Sequence, residues 1–97
     1  MVTSPHQVQK KFKHAGDFGI PGNYNKAKGE QYDRVLHDHV NAPTTTPIDG
    51  TYHREPVIHH LDTSTGLNVV TKPDGRFVTA WKFNSDQLRN VTTHGGL

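Results

Sequence analysis

The sequence predicts an α+β domain in which two N-terminal helices pack on a four-stranded antiparallel sheet, and three observations carry that prediction. Apolar residues recur at helical spacing up to Asn41. Beyond Gly50 they fall into short blocks typical of strands. The turns between those blocks are too short to hold a crossover helix, so the strands form a meander. A chain of 97 residues has room for one core, burying roughly two-thirds of its unfolded surface. A hydrophobic fraction of 31% and a mean hydropathy of -0.77 make that core thin, so part of the chain is expected as loop or as surface ordered by a partner.

Ser4 is placed to cap a first helix over residues 5–15, with Pro5 at its start and Val8, Phe12 and Ala15 on one face, stopped by Gly16. Residues 16–25 hold three Gly, one Pro and two Asn and are expected as a loop anchored by Phe18, Ile20 and Tyr24. The spacing of Tyr32, Val35, Leu36, His39 and Val40 predicts a second helix from Asn25 to about Asn41, ended before Pro43. Thr44 to Pro47 is expected as a linker-like turn. Four strands follow, over residues 51–54, 57–61, 67–72 and 76–83, with Pro73-Asp74-Gly75 reversing the chain before the last. Gln87 to Leu97 is polar and weakly specified. With both helices on one face of the sheet, the other face is expected to stay open for a ligand.

Charge distribution says more than net charge. Eleven Lys and Arg against nine acids give +2, yet residues 1–14 hold three Lys, two His and no acid. Eight His add to a positive field whenever they protonate. A polyanion is the natural partner of such a surface. The absence of Cys excludes a disulfide framework, a thiolate nucleophile and Cys-ligated zinc. No apolar run approaches the roughly 18 residues of a membrane span, and Met1-Val2-Thr3-Ser4-Pro5 is not a signal peptide.

Lys10-Lys11-Phe12-Lys13-His14 gathers three ammonium groups around one imidazole, an arrangement that holds an anion beside a group titrating near neutral pH. On a helix, Lys11 and Lys10 lie three and four residues before His14 and share its face. On the last strand alternation puts Phe77, Thr79 and Trp81 on one face and Val78, Ala80 and Lys82 on the other, so a hydroxyl and an indole point the same way.

The ordered set Lys11-Phe12-Lys13-His14-Ala15, Asp17-Phe18-Gly19-Ile20, Gly50-Thr51-Tyr52, Pro73-Asp74-Gly75 and Thr79-Ala80-Trp81-Lys82 resembles the nuclease domains of colicin D-type toxins. That family includes C-terminal toxin domains of contact-dependent growth inhibition systems. The resemblance implies a barnase- or RelE-like fold and a metal-independent ribonuclease that cuts tRNA in the anticodon loop. It implies no cofactor. The family's Lys-x-Lys-His falls on Lys11, Lys13 and His14, and its Ser-Gly-Trp on Thr79, Ala80 and Trp81. Thr keeps the hydroxyl, whereas Ala adds a methyl group expected to narrow the cleft. Also implied are a single toxin domain over residues 1–97, with 1–9 as a linker to a larger exported toxin acting in a competitor's cytoplasm. A cognate acidic immunity protein is expected to block the site at Lys11, Lys13 and Trp81.

RNA cleavage through the 2'-hydroxyl needs a base, an acid for the departing 5'-oxygen and positive charge around the five-coordinate phosphate. His14 is the expected proton-transfer group, Lys11 and Lys13 the phosphorane-stabilising cations, Thr79 a hydrogen-bond donor to a non-bridging oxygen, and Trp81 a stacking platform for an unpaired base. Lys10 and Lys72 are expected on the RNA path. The second proton-transfer group stays open among His53, His59, His60 and a lysine of depressed pKa, as does the choice between Asp17 orienting His14 and capping the loop. Two rivals remain. A metal nuclease is suggested by His59-His60-Leu61-Asp62, although neighbours on a strand face opposite ways, and His37 with His39 point about 200 degrees apart on a helix. The other rival is a non-catalytic RNA- or protein-binding module on the same basic patch.

Overall fold

The computed structural model describes residues 1–97. Helix α1 spans Pro5–Lys10 and α2 spans Lys26–Asn41; β1 (Thr46–Tyr52), β2 (Glu55–Leu61), β3 (Leu67–Thr71) and β4 (Phe77–Lys82) pair antiparallel in the order β1-β2-β3-β4; helix α3 spans Ser85–His94. The α+β architecture and the meander are therefore as the residue pattern predicts. Ser4 caps α1 and Asn25 caps α2 through side-chain acceptors, each satisfying a backbone N–H that the first turn leaves free.

The first helix is shorter than its apolar spacing suggests. After Lys10 the chain tightens into a 3-10 helix, Phe12–Phe18, closed by Gly19 in the left-handed conformation. With 3.0 residues per turn, side chains three apart eclipse. Phe12, Ala15 and Phe18 therefore line up towards the core, where Phe12 meets Tyr32 edge-on and Phe18 tilts against it. Lys11, His14 and Asp17, one position earlier in each turn, line up on the adjoining face.

The sheet is covered on both sides, which corrects the expectation of an open face. On one side Val8, Phe12, Ala15, Ile20, Tyr32 and Leu36 pack on Val69, Phe77 and Ala80. On the other, Leu88 and Val91 of α3 join Leu61, Phe83 and Ile48. Helix α3 lies where a weakly specified tail is expected. Asn84 accepts from the Gln87 N–H while the Gln87 side chain accepts from the Asn84 N–H, a capping box. Leu88 and Val91, three apart, then supply the buried stripe.

Two further differences concern strands. Residues 46–52, partly expected as linker, form β1 at the sheet edge, where Pro47 is tolerated. His53 and Arg54, expected in a strand, form a two-residue turn with φ of 50° and 68°. Such a turn favours Asn-Gly, and each left-handed residue with a side chain costs roughly 1–2 kcal/mol. In β4 a bulge lets Thr71 face Phe77 and Val70 face Thr79, leaving Val78 unpaired. Phe77 thereby joins Ala80 in the α1–α2 core instead of sharing a face with Thr79 and Trp81.

Both sheet edges are blunted by the chain ends. Val2 bridges Arg76 on the β4 side, and Gly96 bridges Thr51 on the β1 side, which removes exposed pairing edges. At the second junction a Cβ on Gly50 would stand 1.9 Å from the Gly95 carbonyl oxygen, so only glycine admits the crossing.

Candidate active site

The 3-10 helix presents its polar row beside the outer edge of β4. Its rise of about 2 Å per residue sets eclipsed neighbours about 6 Å apart, so Lys11, His14 and Asp17 form a file. Asp17 anchors it: one carboxylate oxygen accepts the Lys82 backbone N–H at 3.1 Å. The role left open for Asp17 is thus a tether between helix and sheet that also bears electrostatically on His14. The imidazole of His14 lies 6.5 Å from the Trp81 ring centre, at 42°. Residues 67 positions apart are brought together by this one contact.

Burial pulls the His14 pKa below the usual imidazole value, and Lys13 and Lys11 push in the same direction against the opposing pull of Asp17. At neutral pH the ring is therefore uncharged and able to accept a proton. The Lys11 ammonium is also destabilised, first by burial and then by Lys13 and Lys10. A lysine in that condition gives up a proton more readily than a free one. Lys13 is exposed, and Lys10 is exposed at the end of α1.

Thr79 and Trp81 share the face opposite the α1–α2 core, as strand alternation predicts. Thr79 is only 2% exposed and belongs to the floor. The Ala80 methyl points the other way and is buried with Val69 and Phe77, so it does not narrow the cleft. Trp81 is half-buried, with Phe83 at 5.2 Å and Tyr52 at 5.6 Å between ring centres. Its indole N–H donates to the Gln87 side-chain oxygen at 3.1 Å, the same oxygen that accepts from Asn84. Gln87 is the positioning residue that residue types alone did not reveal. The spacing Asn84-x-x-Gln87 ahead of Leu88 is the signal that marks the helix carrying it.

The β1–β2 hairpin curls back over the same face. Tyr52 reaches Trp81 although β1 and β4 are at opposite edges of the sheet. Beneath the hairpin lies a cleft of 300 Å³ whose lining includes Tyr52, His53, Val78 and Lys72. A second hollow, of 220 Å³, lies among Thr3, Val8, Tyr24 and Asp33 and holds none of these groups.

His59, His60 and His39 are committed elsewhere. His59 is fully buried; its Nε2 donates to the Thr51 carbonyl at 3.1 Å and its Nδ1 accepts from the Asn68 amide at 3.1 Å. His60 pairs with the Thr71 hydroxyl at 2.9 Å, and His39 reaches the His60 carbonyl at 2.8 Å. His53 stacks on Tyr52 at 4.0 Å and is exposed. No three His, Asp or Glu side chains converge as metal ligands require, and His59-His60 splay across the sheet as alternation demands.

This α+β domain has clear counterparts among known proteins. The family model for Colicin D matches residues 7–91, and the chain belongs to that family. It is 35% identical over 85 residues to Colicin-D of Escherichia coli, an alignment covering 86% of this chain and 12% of that protein. The chain thus corresponds to a small part of its relative. Among solved structures, an Escherichia coli ribonuclease complexed with its inhibitor protein superposes with a TM-score of 0.83 and 33% identity, covering 94% of this chain and 100% of that one.

Proposed function

We propose that this domain is a metal-independent endoribonuclease toxin that cleaves tRNA in the anticodon loop. The observation that carries the reading is the His14–Trp81 juxtaposition: a neutral imidazole, flanked by lysines, 6.5 Å from a ring able to stack an unpaired base. A splayed-out loop supplies such bases and a duplex does not.

In the reaction His14 accepts the 2'-hydroxyl proton as the 2'-oxygen attacks the adjacent phosphorus. Lys11 and Lys13 offset the charge of the five-coordinate phosphate, and Thr79 donates to a non-bridging oxygen from the floor. The 5'-oxygen leaves with a proton from Lys11, whose ammonium is destabilised by burial and by Lys13 and Lys10. His59 and His60 do not compete for that role, because both rings are engaged within the fold. The products are a 2',3'-cyclic phosphate and a 5'-hydroxyl.

Incubation of purified protein with total tRNA in EDTA, beside His14→Ala, tests this directly. Half-length tRNA fragments with cyclic phosphate ends are expected, with a loss of about 10²–10⁴-fold in the variant, the usual worth of a positioned acid–base group. Cleavage that appears only on adding a divalent ion, or that survives in the variant, refutes it.

The producing cell then needs an inhibitor. We infer an acidic immunity protein that covers Lys11, Lys13 and Trp81 and imitates RNA phosphates. The solved relative in complex with its inhibitor supports a partner of this kind, and the small share of Colicin-D matched supports a domain delivered by a larger exported toxin into a target-cell cytoplasm. A complex that leaves His14 and Lys11 as solvent-accessible as in the free domain would contradict the inhibitor's proposed footprint.

A further inference from the structure

The curled β1–β2 hairpin does more than cover the sheet. Its cleft is built as a slot: the stacked Tyr52–His53 pair, 4.0 Å apart and within 17° of parallel, forms one wall, while Val57 and Val78 supply apolar surface. Two charges of opposite sign, Glu55 and Lys72, also line it. At 300 Å³ it lies at the lower end of ligand sites, which span roughly 300–1,000 Å³, a size suited to one base. The slot is continuous with the active site through Tyr52, whose ring also packs on Trp81.

Flat aromatic and apolar surfaces take a base by its faces, and a lysine takes its phosphate. Glu55 adds selection among bases. A carboxylate has only acceptors. Guanine alone presents two adjacent donors, its N1–H and its N2 amino group, along one edge. Adenine and cytosine present one amino group beside an acceptor, and uracil one N–H between two carbonyls. The turn beneath the slot keeps side chains at both left-handed positions, His53 and Arg54, where glycine would be unstrained. At residue 53 that conformation is held by a ring that completes the slot wall.

We propose that this slot is a specificity subsite for an unpaired guanine neighbouring the scissile phosphate, with the outer face of His53, backed by Tyr52, stacking the base, Glu55 reading its edge and Lys72 holding its phosphate. The inference rests on the ribonuclease reading above.

The test titrates ¹⁵N-labelled protein with 2'-O-methyl RNA pentamers, which lack the attacking hydroxyl, carrying G, A, C or U at the centre of a U tract. The G pentamer is expected to shift the amides of Tyr52, His53, Glu55 and Val78 and to bind about tenfold more tightly than the all-U pentamer, within the usual worth of stacking one base. Glu55→Gln should bring G to within about twofold of A. His53→Gly relieves the left-handed strain, so it should melt no lower than wild type while binding the G pentamer several-fold more weakly. A purely structural role for His53 predicts no such split. Shifts confined to the 3-10 helix and β4, or a guanine preference that survives Glu55→Gln, overturn the subsite and leave the tRNA cleavage assay standing. No shift with any pentamer together with intact tRNA overturns both.

Discussion

Two helices flank strand β4, and they serve the site in opposite ways. The 3-10 helix brings the groups proposed to react, Lys11 and His14, and ties itself to the strand through Asp17. Helix α3 brings no reactive group, but its capping residue Gln87 fixes the indole against which His14 is set. Chemistry comes from one side and geometry from the other. The difference teaches that residues of distinctive chemistry can be found by type, whereas those that only hold them are found by the bond they make.

Substitutions on the two sides should separate these contributions. The largest structural effect is expected at the junction that seats the end of α3. Gly50→Ala drives a methyl to 1.9 Å from the Gly95 carbonyl oxygen, and overpacking of this kind costs about 1–3 kcal/mol. Gly16→Ala on the 3-10 helix meets nothing within 4 Å and should stay within about 0.5 kcal/mol of wild type. Thermal melts of the two variants check the pair.

Acid should strike the same side next. His59 is held neutral by burial, against the opposing pull of the Thr51 and Gly95 carbonyls, so its pKa lies below the ordinary value of 6.5. The unfolded chain binds that proton first; stability is full above pH 6.5 and falls as pH drops below it. His59→Gln should lose about 1–3 kcal/mol at pH 7.5, the cost of buried polar groups left unpaired, and should fall less steeply with acid than wild type. An equal slope in urea melts across pH 5 to 7.5 would refute the assignment.

Smaller is the effect of Gln87→Ala, which removes half a capping box and the partner of the Trp81 indole. A loss of about 1 kcal/mol is expected, with a several-fold fall in cleavage. Gln87→Glu keeps the acceptor and should restore most of both, as melts and cleavage rates will show.

Asp17→Asn should change rate least and pH dependence most. The amide oxygen can still accept from Lys82, so the tether survives, but the charge that raises the His14 pKa is gone. The acidic limb of the cleavage profile, where His14 loses activity by protonation, should move to lower pH. A limb that moves upward or stays in place would show that His14 is not the titrating base.

Much of this architecture was legible in order. The capped helix α2, the Pro73-Asp74-Gly75 reversal and the alternation that aligns Thr79 with Trp81 follow from local preferences that the tertiary structure left intact. The 3-10 helix was not legible, because Val8, Phe12 and Ala15 read as one α-helical stripe and the step of three from Phe12 to Ala15 fits either winding. Tighter winding became the better solution once Phe12, Ala15 and Phe18 had to meet Tyr32 and the sheet together. The bulge at Val78 hid in the same way: two phases of β4 are possible, and burial of Phe77 beside Ala80 selects one.

The chemistry of the site was determined by the sequence itself. A run of three lysines and a histidine, with a threonine and a tryptophan two apart on a strand, supplies the functional groups, whose proton affinities the surroundings then adjust. What only the tertiary structure decided was their meeting, and with it which histidines remained free. A 65-residue separation between Asp17 and Lys82 is closed by a hydrogen bond that no local pattern announces, and His59 and His60 are engaged by partners from other strands. Local preference acts through near neighbours along the chain, whereas desolvation and long-range contact act only after the chain has closed on itself.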